Sequence, residues 1–179
     1  MKSEKVFFLD RDGVINKDIG YLHKISDLEF IEGIFELCTI VSRFGYKIII
    51  VTNQSGIGRG YFSKKDFIEL TRFIKLTFKQ KGIKIKDIFY CPHTADDNCS
   101  CRKPLPGMFI EAIRKYNIDV ANSWVIGDSE RDIEAAIGAG IINTILFYDD
   151  VNEIPTTKAT YTLKSLRDIK KMIDENFWY

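Results

Sequence analysis

Long apolar runs, excess charge of either sign and cysteine are all scarce in this chain of 179 residues. No apolar run approaches the length that is needed to span a bilayer. The formal net charge is +1, so the chain as a whole is not drawn to nucleic acid or membranes, and an anion must be bound locally. We expect a small-molecule substrate, no nucleic-acid or membrane partner, and a monomer.

The N-terminus predicts the compartment and, through it, the use of cysteine. Residues 1–5 lead into only four apolar residues before a charged cluster, which is too short for a secretory signal. We therefore expect a cytoplasmic protein, in which thiols stay reduced. The four cysteines are then better candidates for metal binding than for disulfides.

Short apolar strands alternate with amphipathic helices along the chain. The expected strands are 6–9, 47–51, 83–90, 123–127 and 141–147, with a short β-like segment at 159–162. The expected helices are 32–44, 63–81, 106–116 and 131–137, and a last helix has its apolar face at Leu166, Ile169, Met172 and Ile173. This order predicts an α/β fold, namely a doubly wound, Rossmann-like parallel sheet with helices on both faces, in a single domain over 1–179.

The first strand ends on two acidic residues, Asp10 and Asp12. In an extended segment, residues two apart project to the same side, so the two carboxylates are expected to converge while Arg11 points elsewhere. Such close carboxylates favour a shared proton or a bound cation. The alternative for a lone pair of this kind is a strand that stops at a solvated acidic loop.

Polar side chains also end two further strands, at Thr52 and Asp128. Ligands of parallel α/β sheets bind beyond the carboxyl ends of the strands, so these residues and Asp10 predict a site there. Taken singly, Thr52 could be a strand-end cap, Asp128 a helix N-cap, and Lys103 a solvated loop residue. Three incidental placements beside the Asp10 and Asp12 pair are improbable.

The chemistry of phosphate monoesters fits these residues. Asp10 is the candidate nucleophile, because carboxylates form aspartyl-phosphates in covalent catalysis. Asp12 is the candidate acid and base for the leaving oxygen and the attacking water. Asp10 and Asp128 form a hard oxygen site suited to Mg²⁺, while Thr52 and Lys103 offer a hydroxyl and a positive charge to the phosphoryl oxygens.

A second cluster, Cys91, His93, Cys99 and Cys101, supplies three thiolates and an imidazole within eleven residues. These are the ligand types of a closed structural Zn²⁺ site, and we expect a zinc loop over 91–101. The alternatives are a Cys99–Cys101 disulfide or scattered buried thiols. Cys38 lies on a helical apolar stripe and is expected in the core, and His23 is expected to be a solvated loop residue.

Four ordered motifs of this sequence resemble those of the haloacid dehalogenase superfamily of phosphatases. They are DRDGVIN at 10–16, TNQSG at 52–56, RKP at 102–104, and GDSERD at 127–132. The intervening residues resemble the branch of the D-glycero-D-manno-heptose 1,7-bisphosphate phosphatases, with the histidinol-phosphate phosphatases as close relatives. The heptose bisphosphate branch has a similar zinc loop.

The resemblance implies a role for each matching residue. Asp10 would be the nucleophile, Asp12 the acid and base, and Thr52 and Lys103 the groups that stabilise the phosphoryl group. Mg²⁺ would be held by Asp10, the Asp12 backbone carbonyl and Asp128, with Asp132 orienting the site. The residues implied to contact substrate are Asp18, Ile19, Gly20, Tyr21, Thr52, Asn53, Gln54, Ser55, Arg102 and Lys103.

Three features of the chain bear on the substrate, namely departures from the family pattern, the short segments between the motifs, and two arginines. Ser129 stands where many of these enzymes have a basic residue, and Gly58 where the family often has alanine. The segments between the motifs are too short for the large cap domain of many relatives, so an open site is expected. Arg59 and Arg102 are candidates for a second anionic group, with a surface loop position as the alternative for Arg59.

The leading hypothesis is a Mg²⁺-dependent phosphatase that removes the 7-phosphate of heptose 1,7-bisphosphate and feeds heptose synthesis for lipopolysaccharide. A histidinol-phosphate phosphatase is the alternative enzyme, and extra carboxylates on the rim would favour it over arginines. A zinc-stabilised binding module on an inactive phosphatase core is the non-enzymatic alternative.

Overall fold

The computed structural model describes residues 3–148 and 156–176, except for the side chains of 173–176. Six parallel strands form one sheet in the order β3-β2-β1-β4-β5-β6. The strands are β1 (Val6–Leu9), β2 (Lys47–Asn53), β3 (Ile85–Cys91), β4 (Trp124–Gly127), β5 (Asn143–Phe147) and β6 (Tyr161–Leu163).

Helices fill the connections between these strands. They are α1 (Ile34–Arg43), α2 (Ser55–Gly58), α3 (Lys64–Gln80), α4 (Gly107–Tyr116), α5 (Glu130–Gly138) and α6 (Ile169–Asn176). Short 3-10 turns occur at Ile25–Asp27, Ala95–Asp97 and Leu166–Asp168. None of the helices within the described ranges has both the length and the apolar character that crossing a membrane requires.

The sheet has a hydrophobic core on each face. All four side chains of β1 are buried, and they alternate, with Phe7 and Leu9 in one core and Val6 and Phe8 in the other. The first core contains the apolar faces of α1, α3 and α6, and the second contains those of α4 and α5. The predicted doubly wound sheet with helices on both faces is therefore confirmed.

The strand order reverses beside β1, which lies between β2 and β4. The crevice at such a reversal is where open α/β sheets bind ligands. Asp10 and Asp128 follow β1 and β4, and thus lie on the two sides of this crevice. Within the described chain, loops, one 3-10 turn and α1 lie between Asp12 and β2, and α2, α3, β3 and one 3-10 turn lie between β2 and Lys103, so neither segment holds a large cap domain.

Several boundaries differ from the sequence-based expectations. Helix α1 begins at Ile34 because Gly33 has a positive φ of 86° and is not helical. The glycine-rich segment after β2 forms the short helix α2, which was not predicted. Leu166 belongs to a 3-10 turn and not to the last helix, although it is buried as expected. The expected loop at Pro155 and the aromatic tail 177–179 lie outside the described residues, as does the side chain of Ile173.

Candidate active site

The carboxyl ends of β1, β2 and β4 open into one polar cavity of about 370 Å³. Asp10, Thr52 and Asp128 line it, and Lys103 reaches it from the loop before α4. The residues that the sequence places at three strand ends are thus brought together.

Three carboxylates form a cluster in this cavity. Asp10, Asp128 and Asp132 each have an oxygen within 4.8 Å of an oxygen of the other two. Lys103 neutralises part of their charge, since its Nζ lies 2.9 Å from Asp10 Oδ1 and 2.5 Å from Asp132 Oδ1. The Nζ also donates to the Val51 carbonyl at 2.8 Å, and Lys103 is only 3% exposed, which excludes a solvated loop lysine.

Burial and mutual repulsion perturb the acidic groups. Burial raises the pKa of Asp10 to about 8, with Asp132 and Asp128 adding to the rise and Lys103 opposing it. Burial and the charge of Asp132 raise the pKa of Asp128 to about 7. Burial opposes the charged form of Lys103, but Asp10 and Asp132 together raise its pKa. Oxygen donors that repel one another in this way fit a hard divalent cation such as Mg²⁺.

Two close approaches of the backbone shape the cluster. Gly13 has a φ of +82°, and a Cβ at this position would lie 1.9 Å from Asp128 Oδ2. On α5, Ser129 is the N-cap, and its backbone N–H and hydroxyl both donate to Asp132 Oδ2. This capping box fixes the Asp132 carboxylate beside Lys103.

The expectation that Arg11 points away from the acidic pair is wrong. Its guanidinium turns back onto Asp12, with Nη2 at 2.8 Å from both carboxylate oxygens and Nε at 3.1 Å from Oδ1. Asn16 and Gln54 also donate to Asp12, at 2.9 and 3.0 Å. The alternation rule fails here because β1 ends at Leu9 and the chain turns at once.

Asn53 and Gln54, at the end of β2, form hydrogen bonds to Asp12, Thr52 and Lys103. Gln54 Nε2 donates to the Thr52 hydroxyl at 2.9 Å as well as to Asp12, so it joins the two. The Asn53 amide pairs with the backbone of Lys103 through two hydrogen bonds of 3.1 Å. The Asn53 side chain, expected to contact substrate, is therefore engaged in holding the lysine loop, although the residue lines the cavity.

Most of the residues expected to bind substrate line the cavity. They are Asp18, Gly20, Tyr21, Thr52, Asn53, Gln54, Ser55, Arg59, Arg102 and Lys103. Ile19 is not among the lining residues and is 56% exposed. Four other residues, which were not predicted to contact substrate, also line the cavity, namely Gly56, Phe62, Ser129 and Arg131. Arg131 could have been found from its place in the first turn of a helix that follows a strand-end aspartate.

Aromatic pairs join the two loops on the rim. The rings of Tyr21 and Tyr61 meet edge to face at 4.7 Å. His23 stacks on Phe62 at 5.3 Å and is half-buried, so it is a packing residue and not simply a solvated one. These contacts connect the loop 16–31 with the loop before α3.

The four cysteine and histidine side chains of the loop 91–101 also converge. One ligand atom from each lies within 4.8 Å of the others, and the Cys91 and Cys99 sulfurs are 3.6 Å apart. Tetrahedral Zn²⁺ with Zn–S bonds of about 2.3 Å requires sulfur separations of about 3.7 Å. The Cys91–Cys99 pair matches this value, whereas the Cys91 and Cys101 sulfurs are 2.9 Å apart and would have to separate around the ion. Cys38 lies apart in the core, buried as expected.

The thiols of this cluster differ in their acidity. Burial raises the pKa of Cys91. Burial acts in the same direction on Cys99, but hydrogen bonds, led by the backbone N–H of Arg102, lower its pKa to about 7. A thiolate, the form that binds metal, is therefore accessible at Cys99 near neutral pH.

Comparison with known proteins shows which family the chain resembles. Residues 100–169 match the HAD-hydrolase-like family. The D-glycero-beta-D-manno-heptose-1,7-bisphosphate 7-phosphatase of Vibrio cholerae is 46% identical over 171 residues, which cover 90% of this chain and 92% of that protein. The D-glycero-alpha-D-manno-heptose-1,7-bisphosphate 7-phosphatase of Photorhabdus laumondii is 42% identical, with 95% and 97% covered.

A solved structure extends the similarity to three dimensions. The D,D-heptose 1,7-bisphosphate phosphatase of B. bronchiseptica, complexed with magnesium and phosphate, superposes with a TM-score of 0.85. It is 31% identical and covers 96% of this chain and 99% of its own. Fold and site together define a hydrolase of the haloacid dehalogenase type. Within that superfamily, the chain belongs to the family of the heptose 1,7-bisphosphate phosphatases.

Proposed function

We propose that this chain is a Mg²⁺-dependent phosphatase that removes the 7-phosphate of D-glycero-D-manno-heptose 1,7-bisphosphate through an aspartyl-phosphate on Asp10. The observation that carries the proposal is the position of Asp10, at the end of the central strand β1, between Lys103 and the carboxylates of Asp128 and Asp132. The relatives named for this reaction match the chain over nearly its whole length.

In the first step, an Asp10 oxygen attacks phosphorus and the bond to the sugar oxygen breaks, while Asp12 gives that oxygen a proton. In the second step, Asp12 takes a proton from water, which attacks the aspartyl-phosphate and releases phosphate. Lys103 and the Thr52 hydroxyl stabilise the phosphoryl oxygens. Asp10, Asp128 and the Asp12 carbonyl would hold Mg²⁺, which supplies positive charge against those oxygens.

The rim favours a substrate with a second anionic group. Arg59, Arg102 and Arg131 line the cavity, and neither Arg59 nor Arg131 has a carboxylate partner within the described chain. Asp18 is the one lining carboxylate on the loop 16–31. Three guanidinium groups suit a bisphosphate better than histidinol phosphate, which carries an amine and an imidazole.

The remaining assignments are parts of the same proposal. We assign Zn²⁺ to Cys91, His93, Cys99 and Cys101 as a structural ion, because protein ligands fill all four tetrahedral positions. A thiolate-rich site of this kind suits the reducing cytoplasm. We treat residues 1–179 as a single domain and a monomer.

The test compares phosphate release from both anomers of heptose 1,7-bisphosphate and from histidinol phosphate, with and without Mg²⁺. Asp10→Asn removes the nucleophile and is expected to abolish release, whereas Asp27→Asn, in an exposed turn, keeps it. Acid quench followed by borohydride reduction is expected to yield homoserine at position 10, the reduction product of an aspartyl-phosphate. Higher kcat/KM on histidinol phosphate contradicts the substrate assignment, and full activity of Asp10→Asn contradicts the mechanism.

A further inference from the structure

Arg11 is a buried charged residue that the mechanism above does not use. It is 2% exposed and lies between Asp10 and Asp12 in the chain. Its guanidinium forms a fork on the Asp12 carboxylate, with contacts of 2.8 Å from Nη2 to each oxygen and 3.1 Å from Nε to Oδ1. Such a two-pronged pair fixes the plane of a carboxylate as well as its distance.

The same guanidinium is anchored from the substrate side of the site. Nη2 also donates to the Leu22 carbonyl at 3.1 Å. Leu22 directly follows Tyr21, which lines the cavity, and Leu22 itself is buried. Arg11 therefore connects the carboxylate of Asp12 to the loop 16–31, which borders the expected sugar site.

The burial of Arg11 is unfavourable for the free energy of folding if the side chain only fills space. Its Nη1 is buried and has no hydrogen-bond partner within the described chain. A buried donor without a partner costs free energy, and a charged one costs more. An arrangement that tolerates this cost points to a requirement at Asp12, the group that the fork holds.

We propose that Arg11 is the positioning residue for Asp12, and that its fork fixes the plane of the carboxyl group that exchanges a proton with the leaving oxygen. This inference rests on the proposed function, in which Asp12 protonates the sugar oxygen. A side chain from the turn after β1 thus links the acid to the loop 16–31. The side-chain amides of Asn16 and Gln54 also donate hydrogen bonds to the Asp12 carboxylate.

Leaving-group dependence provides the test. The alkoxide of a sugar leaves only with a proton, whereas p-nitrophenolate leaves without one, and kcat/KM reports steps only up to phosphoryl transfer. Arg11→Lys keeps the charge but removes the fork. We expect it to lower kcat/KM for the heptose bisphosphate about 100-fold, within the range of general acid catalysis. For p-nitrophenyl phosphate, the expected loss in kcat/KM is less than about fivefold, because p-nitrophenolate leaves without a proton and does not need the acid Asp12.

Chemical rescue of a second variant, Arg11→Ala, tests the same role independently. Arg11→Ala is expected to recover at least part of its activity on the alkyl ester when millimolar guanidinium is added, but not when ammonium is added. Arg43→Lys and Arg43→Ala, at the exposed end of α1, control for arginine changes elsewhere. Melting temperatures establish that the variants are folded.

The outcomes separate this inference from the proposed function. Equal losses on both esters, no loss on either, or rescue by ammonium as well as guanidinium would each overturn the role of Arg11 while the wild-type enzyme remains a phosphatase. A wild-type protein that hydrolyses neither ester would overturn the proposed function, and the role of Arg11 with it.

Discussion

Lys103 makes a cluster of three carboxylates compatible with a buried site. Its Nζ contacts Asp10, Asp132 and the Val51 carbonyl, so its three N–H donors each have an acceptor. A shorter or neutral side chain would leave two buried carboxylates facing one another. The lysine therefore holds the carboxylate cluster together in the substrate-free protein.

The raised pKa values at this site predict how stability depends on pH. Asp10 and Asp128 titrate near 8 and 7 in the folded protein, and near 4 when unfolded. Between about pH 4 and pH 8 the folded state thus binds more protons, so the free energy of unfolding falls as the pH rises. We expect the melting temperature of Mg²⁺-free protein to be lower at pH 8 than at pH 5.

Added Mg²⁺ is expected to raise the melting temperature more at pH 8 than at pH 5, because the ionised carboxylates bind it. Asp10→Asn should reduce the slope with pH, and Asp27→Asn should retain it. Dialysis without chelator removes Mg²⁺ and spares the cysteine cluster. A melting temperature of the Mg²⁺-free wild type that rises from pH 5 to pH 8 would contradict the prediction.

The sequence predicted which residues lie together at this site, but not the hydrogen bonds that orient each side chain. Strand ends carry Asp10, Thr52 and Asp128 to one edge, because parallel strands point the same way. The path of Arg11 could not be foreseen, since strand alternation stops at Leu9. The reciprocal pairing of Asn53 with the Lys103 backbone joins residues fifty positions apart, and no local pattern encodes it.

At the level of secondary structure, α3 and α5 both begin with a capping box, but the two capping boxes have different roles. The capping box of α3 consists of Ser63, which is exposed, and Asp66, which is half-buried. That of α5 consists of Ser129 and Asp132, and Asp132 also binds Lys103. The first box only begins a helix, whereas the second also holds a carboxylate of the site.

Alanine at each N-cap separates these roles. We expect Ser63→Ala and Ser129→Ala each to lower the free energy of unfolding by about 1 kcal/mol, measured in urea. Ser63→Ala should leave kcat unchanged. Ser129→Ala should lower kcat about tenfold, because Asp132 loses a fixed partner. Equal kcat values for the two variants would show that the second cap has no role in the site.

The cysteine cluster connects β3 to the loop that carries Lys103. Cys91 is the last residue of β3, and Cys101 precedes Lys103 by two positions. We expect Cys101→Ser to lower bound zinc, the melting temperature and kcat, the last by about tenfold or more, because the lysine loop loses its anchor. Cys38→Ala, in the core, should retain zinc. Full activity of the metal-stripped protein would count against this role.

Element boundaries were the least predictable part of the fold. Periodicity located the central strands, whose apolar residues are continuous. It missed α2, because a segment containing Gly56, Gly58 and Gly60 has the composition of a loop. Here the helical turn is held by tertiary contacts, including the hydrogen bond from the Gly58 N–H to the Pro92 carbonyl.

The whole molecule is organised by one sheet with a core on either face. Because β1 contributes alternate side chains to both cores, neither core can loosen without affecting the other. We expect a single unfolding transition in urea, with coincident far-UV circular dichroism and tryptophan fluorescence curves. Two separated transitions would contradict the assignment of a single domain.

The doubly wound topology was predictable from alternation alone, since it depends on many residues and tolerates errors at each boundary. The site, in contrast, depends on a few individual residues. The contact between Gly13 and Asp128 leaves no room for even one methyl group. An alanine there would displace the Asp128 carboxylate, which we assign to Mg²⁺, although position 13 has no reactive group of its own. Among the twelve glycines, Gly13 therefore has the least room for a side chain.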